Sequence, residues 1–125
     1  MTHSYVVDGA VMQCSYGSQP GEFKTAAGRN IRINQKAQGN IRDFEAHINI
    51  SSFGMCSSKY NPIVIEANKG NHQQLIPQPC QPSITLPWMN GKNDVYVNQS
   101  PALLICSTNI CMWHGNISFT ADGQE

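Results

Sequence analysis

Apolar and polar positions alternate along this chain in short stretches that never last. Asn30-Ile31-Arg32-Ile33, His47-Ile48-Asn49-Ile50 and Asn116-Ile117-Ser118-Phe119-Thr120 each place alternate residues on an apolar face. That is the period of a half-buried strand. Residues 10–14 and 94–97 read as strands that follow turns at Gly9 and Asn90-Gly91, and Asp122-Gly123 closes the last strand. Ala102-Leu103-Leu104-Ile105-Cys106 is a continuous apolar run of strand length, predicting a buried strand. Helical periodicity is confined to one place. There Asn61 suits an N-cap, Pro62 the first helical position and Gly70 a left-handed terminator, with Ile63, Val64 and Ala67 on one side. A weaker helical turn is predicted at residues 40–44. Ile76-Pro77-Gln78-Pro79-Cys80-Gln81-Pro82 holds three prolines and cannot be a central strand, so it reads as an extended connection. The pattern predicts one all-β domain over residues 1–125, built of short strands and turns, with one short helix near residues 62–68. No repeat and no linker is visible.

Composition sharpens this picture. Charged residues make up 13 % of the chain and the net charge is zero, about half the usual charged share. Twelve Asn and ten Gln fill the gap, which predicts a surface hydrated by amides without long-range repulsion. There is no basic surplus to attract nucleic acid or anionic lipid. No apolar run approaches a membrane span, and residues 1–10 lack the pattern of a secretory leader. Leu, Ile, Val and Phe together number 26 of 125, just above the level at which disorder becomes the default. A core this thin calls for other support.

Five cysteines could supply it: Cys14, Cys56, Cys80, Cys106 and Cys111. An odd count without an export leader argues against a complete disulfide framework. No C-x2-C spacing occurs, so buried apolar thiols and a dispersed metal site remain equally open. Cys111-Met112-Trp113-His114 has the spacing of two zinc ligands, or of a packed turn histidine. His3, His47 and His72 stand among polar residues and read as solvent-facing. No G-x-S-x-G, H-E-x-x-H, P-loop or paired-carboxylate pattern is present. Phe53, Trp88 and Trp113 have no adjacent Lys or Arg, as a nucleic-acid stacking platform would require. The three Asn-x-Ser triplets, at Asn49, Asn98 and Asn116, are read as chance matches in an Asn-rich chain.

Several words of the chain, in order, resemble the PAAR-like spike-tip family of contractile injection systems. They are Gln13-Cys14-Ser15-Tyr16-Gly17, Asn49-Ile50, Phe53-Gly54-Met55-Cys56 and Asn61-Pro62. Pro79-Cys80-Gln81-Pro82, Pro87-Trp88, Pro101-Ala102-Leu103, Cys111-x-Trp113-x-Gly115 and Gly123-Gln124 follow. The literal Pro-Ala-Ala-Arg motif is missing, so the likeness is to the PAAR-like branch. It implies a small cone of short strands that caps a homotrimeric β-helical spike of the valine-glycine-repeat (VgrG-like) type, one copy per trimer. The spike belongs to a type VI secretion system, phage tail or related particle. It also implies a protein that is not an enzyme, cytoplasmic before assembly and exported on firing, with effector or adaptor proteins as further partners. The target membrane would be touched only in passing.

The same likeness sorts the cysteines: Cys14, Cys56, Cys80 and Cys111 lie in family words and Cys106 does not. By analogy with the metal of founding PAAR proteins, it implies a closed structural site of four thiolates for zinc, or iron, with backbone N–H groups donating to sulfur. His114 departs from the family pattern, which leaves three cysteines plus His114 as an alternative ligand set. Cys106 is expected to be an extra buried residue on its strand. The words around Phe53, Met55, Trp88 and Leu103 are expected to divide between core and spike-facing base. Two other classes remain as alternatives: a small metal-dependent hydrolase, which needs an open metal position, and a disulfide-stapled secreted binding module, which needs oxidised cysteines.

Overall fold

The computed structural model describes residues 4–25, 31–33, 35–70, 76–113 and 115–124. Its strands are β1 (Val11–Cys14), β2 (Gly21–Glu22), β3 (Arg32–Ile33), β4 (Lys36–Ala37) and β5 (Met55–Cys56). After the helix come β6 (Gln78–Pro79), β7 (Lys92–Val97), β8 (Ser100–Ala102), β9 (Thr108–Ile110) and β10 (Asn116–Ala121). The helix, α1 (Pro62–Ala67), starts as the caps predict: the Asn61 side chain accepts from the Ile63 N–H, and Pro62 occupies the first turn. Only Val64 of α1 is buried. The domain is all-β with this one short helix.

One four-stranded antiparallel sheet runs in the order β2-β1-β10-β9, and three two-stranded pairs, β3-β4, β5-β6 and β7-β8, stand around it. Tight turns set the β7-β8 hairpin: Asn98 and Gln99 both have positive φ (50° and 75°), the twist that two-residue hairpins favour. The core lies against the sheet. Phe23 meets Trp88 and Phe119 edge-on, with centroids 6.4 and 5.6 Å apart, while Trp88 and Phe119 stack at 4.7 Å. The Trp88 indole N–H donates to the Asp43 carbonyl at 2.8 Å, so the ring's polar edge is satisfied inside the core.

Three distant segments close a ring. Residues 4–10, 37–43 and 101–107 each form an antiparallel bridge with both of the others: Val7 with Gln38, Asn40 with Ala102, and Leu104 with Tyr5. The hydrogen bonds repeat in threes. Val6 N–H donates to Leu103 O, Leu103 N–H to Gly39 O, and Gly39 N–H to Val6 O, at 2.9–3.0 Å. Two residues further on, Asp8 donates to Ala37 O, Ile41 to Pro101 O and Ile105 to Ser4 O. Each segment then turns alike: Ala10 donates to Val7 O, Asp43 to Asn40 O and Ser107 to Leu104 O. These nine backbone bonds follow an approximate threefold axis. The sequence carries no trace of it, because backbone atoms make every bond. Gln38, 2 % exposed, reinforces the ring: its Nε2 faces the carbonyls of Val6, Gly39 and Leu103 at 3.1, 3.0 and 3.4 Å.

Several expectations are corrected here. The run at 102–106 is not one strand. β8 ends at Ala102, Leu104 bridges Tyr5, and residues 105–106 turn, with the Ser107 hydroxyl accepting from Leu104 N–H. Cys106 is therefore half-buried in a turn. Residues 47–49 are a turn as well, and of the predicted strand only Ile50 pairs, with Phe23 and Ala46. His47 has φ 67°, Asn49 and Ile50 N–H donate to Glu45 O, and the Asn49 side chain accepts from Glu45 N–H. A local side-chain bond thus outcompetes the apolar alternation. Residues 40–44 form the ring's turn and no helix. Ile63 is 43 % exposed, and so lies outside the buried face. Of the predicted strand at 30–33, Asn30 lies outside the described residues and only Arg32–Ile33 pairs. The amides do not simply coat the surface: Gln38, Asn40, Asn49, Asn61 and Asn109 are buried. Asn40 reaches Val97 O, Asn49 Lys24 O and Asn109 Leu86 O. Short strands leave many loop carbonyls outside ladders, and buried carbonyls need donors.

Gln38→Leu keeps the volume and removes the amide from the ring. It is expected to cost about 1–3 kcal/mol, read as a lower urea midpoint with an unchanged slope.

Candidate metal centre

Four of the five cysteines arrive at one end of the main sheet from four different places. Cys14 ends β1 opposite Ile117 of β10. Cys56 ends β5 and bridges Gly17. Cys80 follows β6, its N–H held by Gly54 O at 2.7 Å, and Cys111 follows β9, its N–H held by Gly115 O at 2.9 Å. Gly54 has φ 79°, a conformation open to glycine, and this bend carries the chain from buried Phe53 to Cys56. The connecting loops are tied together. The Trp113 indole N–H donates to Gln81 O at 3.1 Å, and the Ser58 hydroxyl donates to Trp113 O.

Cys14, Cys56, Cys80 and Cys111 all line one cavity, closed in by Tyr16, Phe53, Pro82, Trp113 and Ile117. Its volume is about 10 Å³, near the minimum for a single water-sized sphere. Cys106 does not line it, nor does His47, which is exposed in its turn. His3, His72 and His114 lie outside the described residues. None of the five cysteines forms a disulfide. Among the described residues, no three His, Cys, Asp or Glu side chains stand ready-made around an ion. The four sulfurs share a cavity without converging on one point.

Two of the four sulfurs accept a backbone hydrogen bond. Ser58 N–H points at Cys56 Sγ and Ser83 N–H at Cys111 Sγ, both at 3.5 Å. The backbone of Tyr16 favours ionisation of Cys14 and that of Phe53 favours ionisation of Cys80, while the Ser52 hydroxyl donates to the Cys80 carbonyl at 3.0 Å. Tyr16 and Ser58 stand two residues after their cysteines, a spacing legible in the sequence. Phe53, Ser52 and Ser83 come from other segments, and no local signal points to them. Such donors stabilise negative charge on sulfur and are the surroundings that ligating thiolates need. Chemically, the set fits a soft, tetrahedrally coordinated ion.

Without an ion, burial dominates. It pushes the thiols of Cys14 and Cys80 above their ordinary value of 9.0, against the donors, and the neighbouring cysteines add to the rise.

Residues 6–124 match the model of a family described as a domain of unknown function, DUF4280. The chain belongs to the DUF4280 family. The match spans all four cavity cysteines and the whole threefold ring from Val6 onward. No curated protein and no solved structure matches this DUF4280 chain. No helix among its described residues is long and apolar enough to cross a membrane.

For the metal-free DUF4280 protein the pH dependence has a definite sign. The folded thiols of Cys14 and Cys80 ionise later than the unfolded ones. Their contribution to stability is whole below the unfolded value and is lost as pH rises through the folded one. Urea midpoints of chelator-treated protein are expected to hold from neutral pH to about 8 and fall above about 9. Cys14→Ala with Cys80→Ala should flatten that fall.

Proposed function

We propose that this chain is the tip of the central spike of a contractile injection machine, a type VI secretion system or a related phage-tail-like particle. The threefold ring carries the reading. A single chain that caps a homotrimer meets a symmetry mismatch, and three near-equivalent backbone segments around one axis lessen it. The family-like words from Gly9 to Gln124 support the same role. The partner is a VgrG-like trimer, with one tip per trimer. The tip assembles in the cytoplasm, leaves on firing and touches the target membrane only in transit, with effector or adaptor proteins as further partners. Its work is mechanical and it is not an enzyme.

Cys14, Cys56, Cys80 and Cys111 would hold zinc, with iron as the alternative, and such an ion supplies a structural cross-link of several kcal/mol. Four protein ligands leave no open position for a substrate. The backbone donors to Cys56 and Cys111 and the ion-sized cavity support this assignment.

Two measurements test the proposal. Co-expressed with a VgrG-like spike trimer, the chain is expected to co-purify at one copy per trimer by complex mass. A trimer that purifies without it overturns the role. Metal analysis is expected to find one zinc per chain, with loss of metal and a lower melting temperature in Cys14→Ser and Cys111→Ser. No metal and unchanged melting in both variants would remove the cross-link.

A further inference from the structure

Gly115 is buried in the wall of the four-cysteine cavity, and its backbone does not need a glycine. Its φ lies outside the left-handed region, unlike Gly9, Gly54, Gly70 and Gly123. What distinguishes it is space. A Cβ built at Gly115 comes within 2.6 Å of Cys14 Sγ, while its next neighbours, Cys111 Cβ and Tyr16 Cδ2, stand at a comfortable 3.7 Å. Gly17 lines the same cavity for a different reason, since a Cβ there runs into the Cβ and carbonyl oxygen of Phe53. One collides with packed core, the other with a single sulfur.

Cys14 is also the half-buried member of the set, while Cys56, Cys80 and Cys111 are buried. It lines an open groove formed with Gln13, Ser18, Gln19 and Thr120 as well as the closed cavity. Cys14 therefore stands between the cavity and the surface. A methyl group at position 115 would be relieved by turning the Cys14 sulfur about one bond, at little cost to packing.

We infer that Gly115 is a positioning residue of the metal centre: its missing side chain admits the Cys14 sulfur to the cavity as the fourth ligand. This rests on the four-cysteine reading above. Gly115 touches no ion itself and acts through Cys14. The centre is then a floor of three buried thiols closed by one sulfur whose seat depends on a hydrogen atom at position 115.

Cobalt(II) titration of the chelator-treated protein tests this, with thiolate-to-cobalt absorption as the readout. Gly115→Ala is expected to lower cobalt affinity roughly 10–100-fold and to lose about a quarter of the charge-transfer band, one sulfur in four. Its metal-free melting temperature should stay close to that of wild type. In a Cys14→Ala background the same substitution should cost nothing further, because the sulfur it displaces is gone. Should Gly115→Ala alone fail to fold, folding of the Cys14→Ala, Gly115→Ala double variant supports the inference, and failure of both overturns it. A Gly115→Ala protein with wild-type spectrum and affinity overturns this inference alone. Equal losses in both backgrounds also overturn it, marking a general packing role. A wild-type protein that binds no cobalt overturns the four-cysteine reading and this inference together.

Discussion

Six backbone hydrogen bonds between residues 4–10, 37–43 and 101–107, with one turn bond inside each segment, hold the rest of the molecule in place. These segments come from the beginning, the first third and the last third of the chain, and the Gln38 amide faces a carbonyl in each of them. Each uses one residue to bridge one neighbour and another, two positions along, to bridge the next. The set closes on itself without a free edge, the most economical way to satisfy buried backbone groups in strands this short. Val6 and Leu103 of the ring belong to the core that includes Phe23, Trp88 and Phe119, so the aromatic cluster rests on a floor of paired amides.

The polar composition takes its meaning from that floor. A domain of two- to six-residue strands exposes far more loop backbone to its own interior than a regular sheet does. Carboxylates could accept from loop N–H groups but could not serve the carbonyls, and lysines would carry charge into the core. A neutral carboxamide donates and accepts at once. Asn40 shows both uses: its side chain accepts from Arg42 N–H and donates to Val97 O. Asn109 likewise accepts from Ile110 N–H and donates to Leu86 O. Low charge here reflects the interior as much as the surface.

What the sequence revealed follows the same division. β1, β10 and α1 were legible because side chains set them: alternation flanked by turns, and an Asn-Pro cap. The ring was not, because SYVVDGA, AQGNIRD and PALLICS share no pattern that would align them. The turn at His47 was hidden by an accidental alternation that the Asn49 side chain overrides. At the candidate site, the four cysteines could be picked out from the family-like words. Their meeting could not be read from spacing, since the loops between them run to dozens of residues. The donor at Ser83 was beyond reach for the same reason.

A body with an approximate threefold axis can be seated on a threefold-symmetric surface in three orientations. The backbone segments are alike but their side chains are not, so the three seatings would differ in energy only through side-chain contacts. If those differences are small, multiplicity alone favours association by RT ln 3, about 0.6 kcal/mol. Anything attached to one flank of such a body would then face one of three directions.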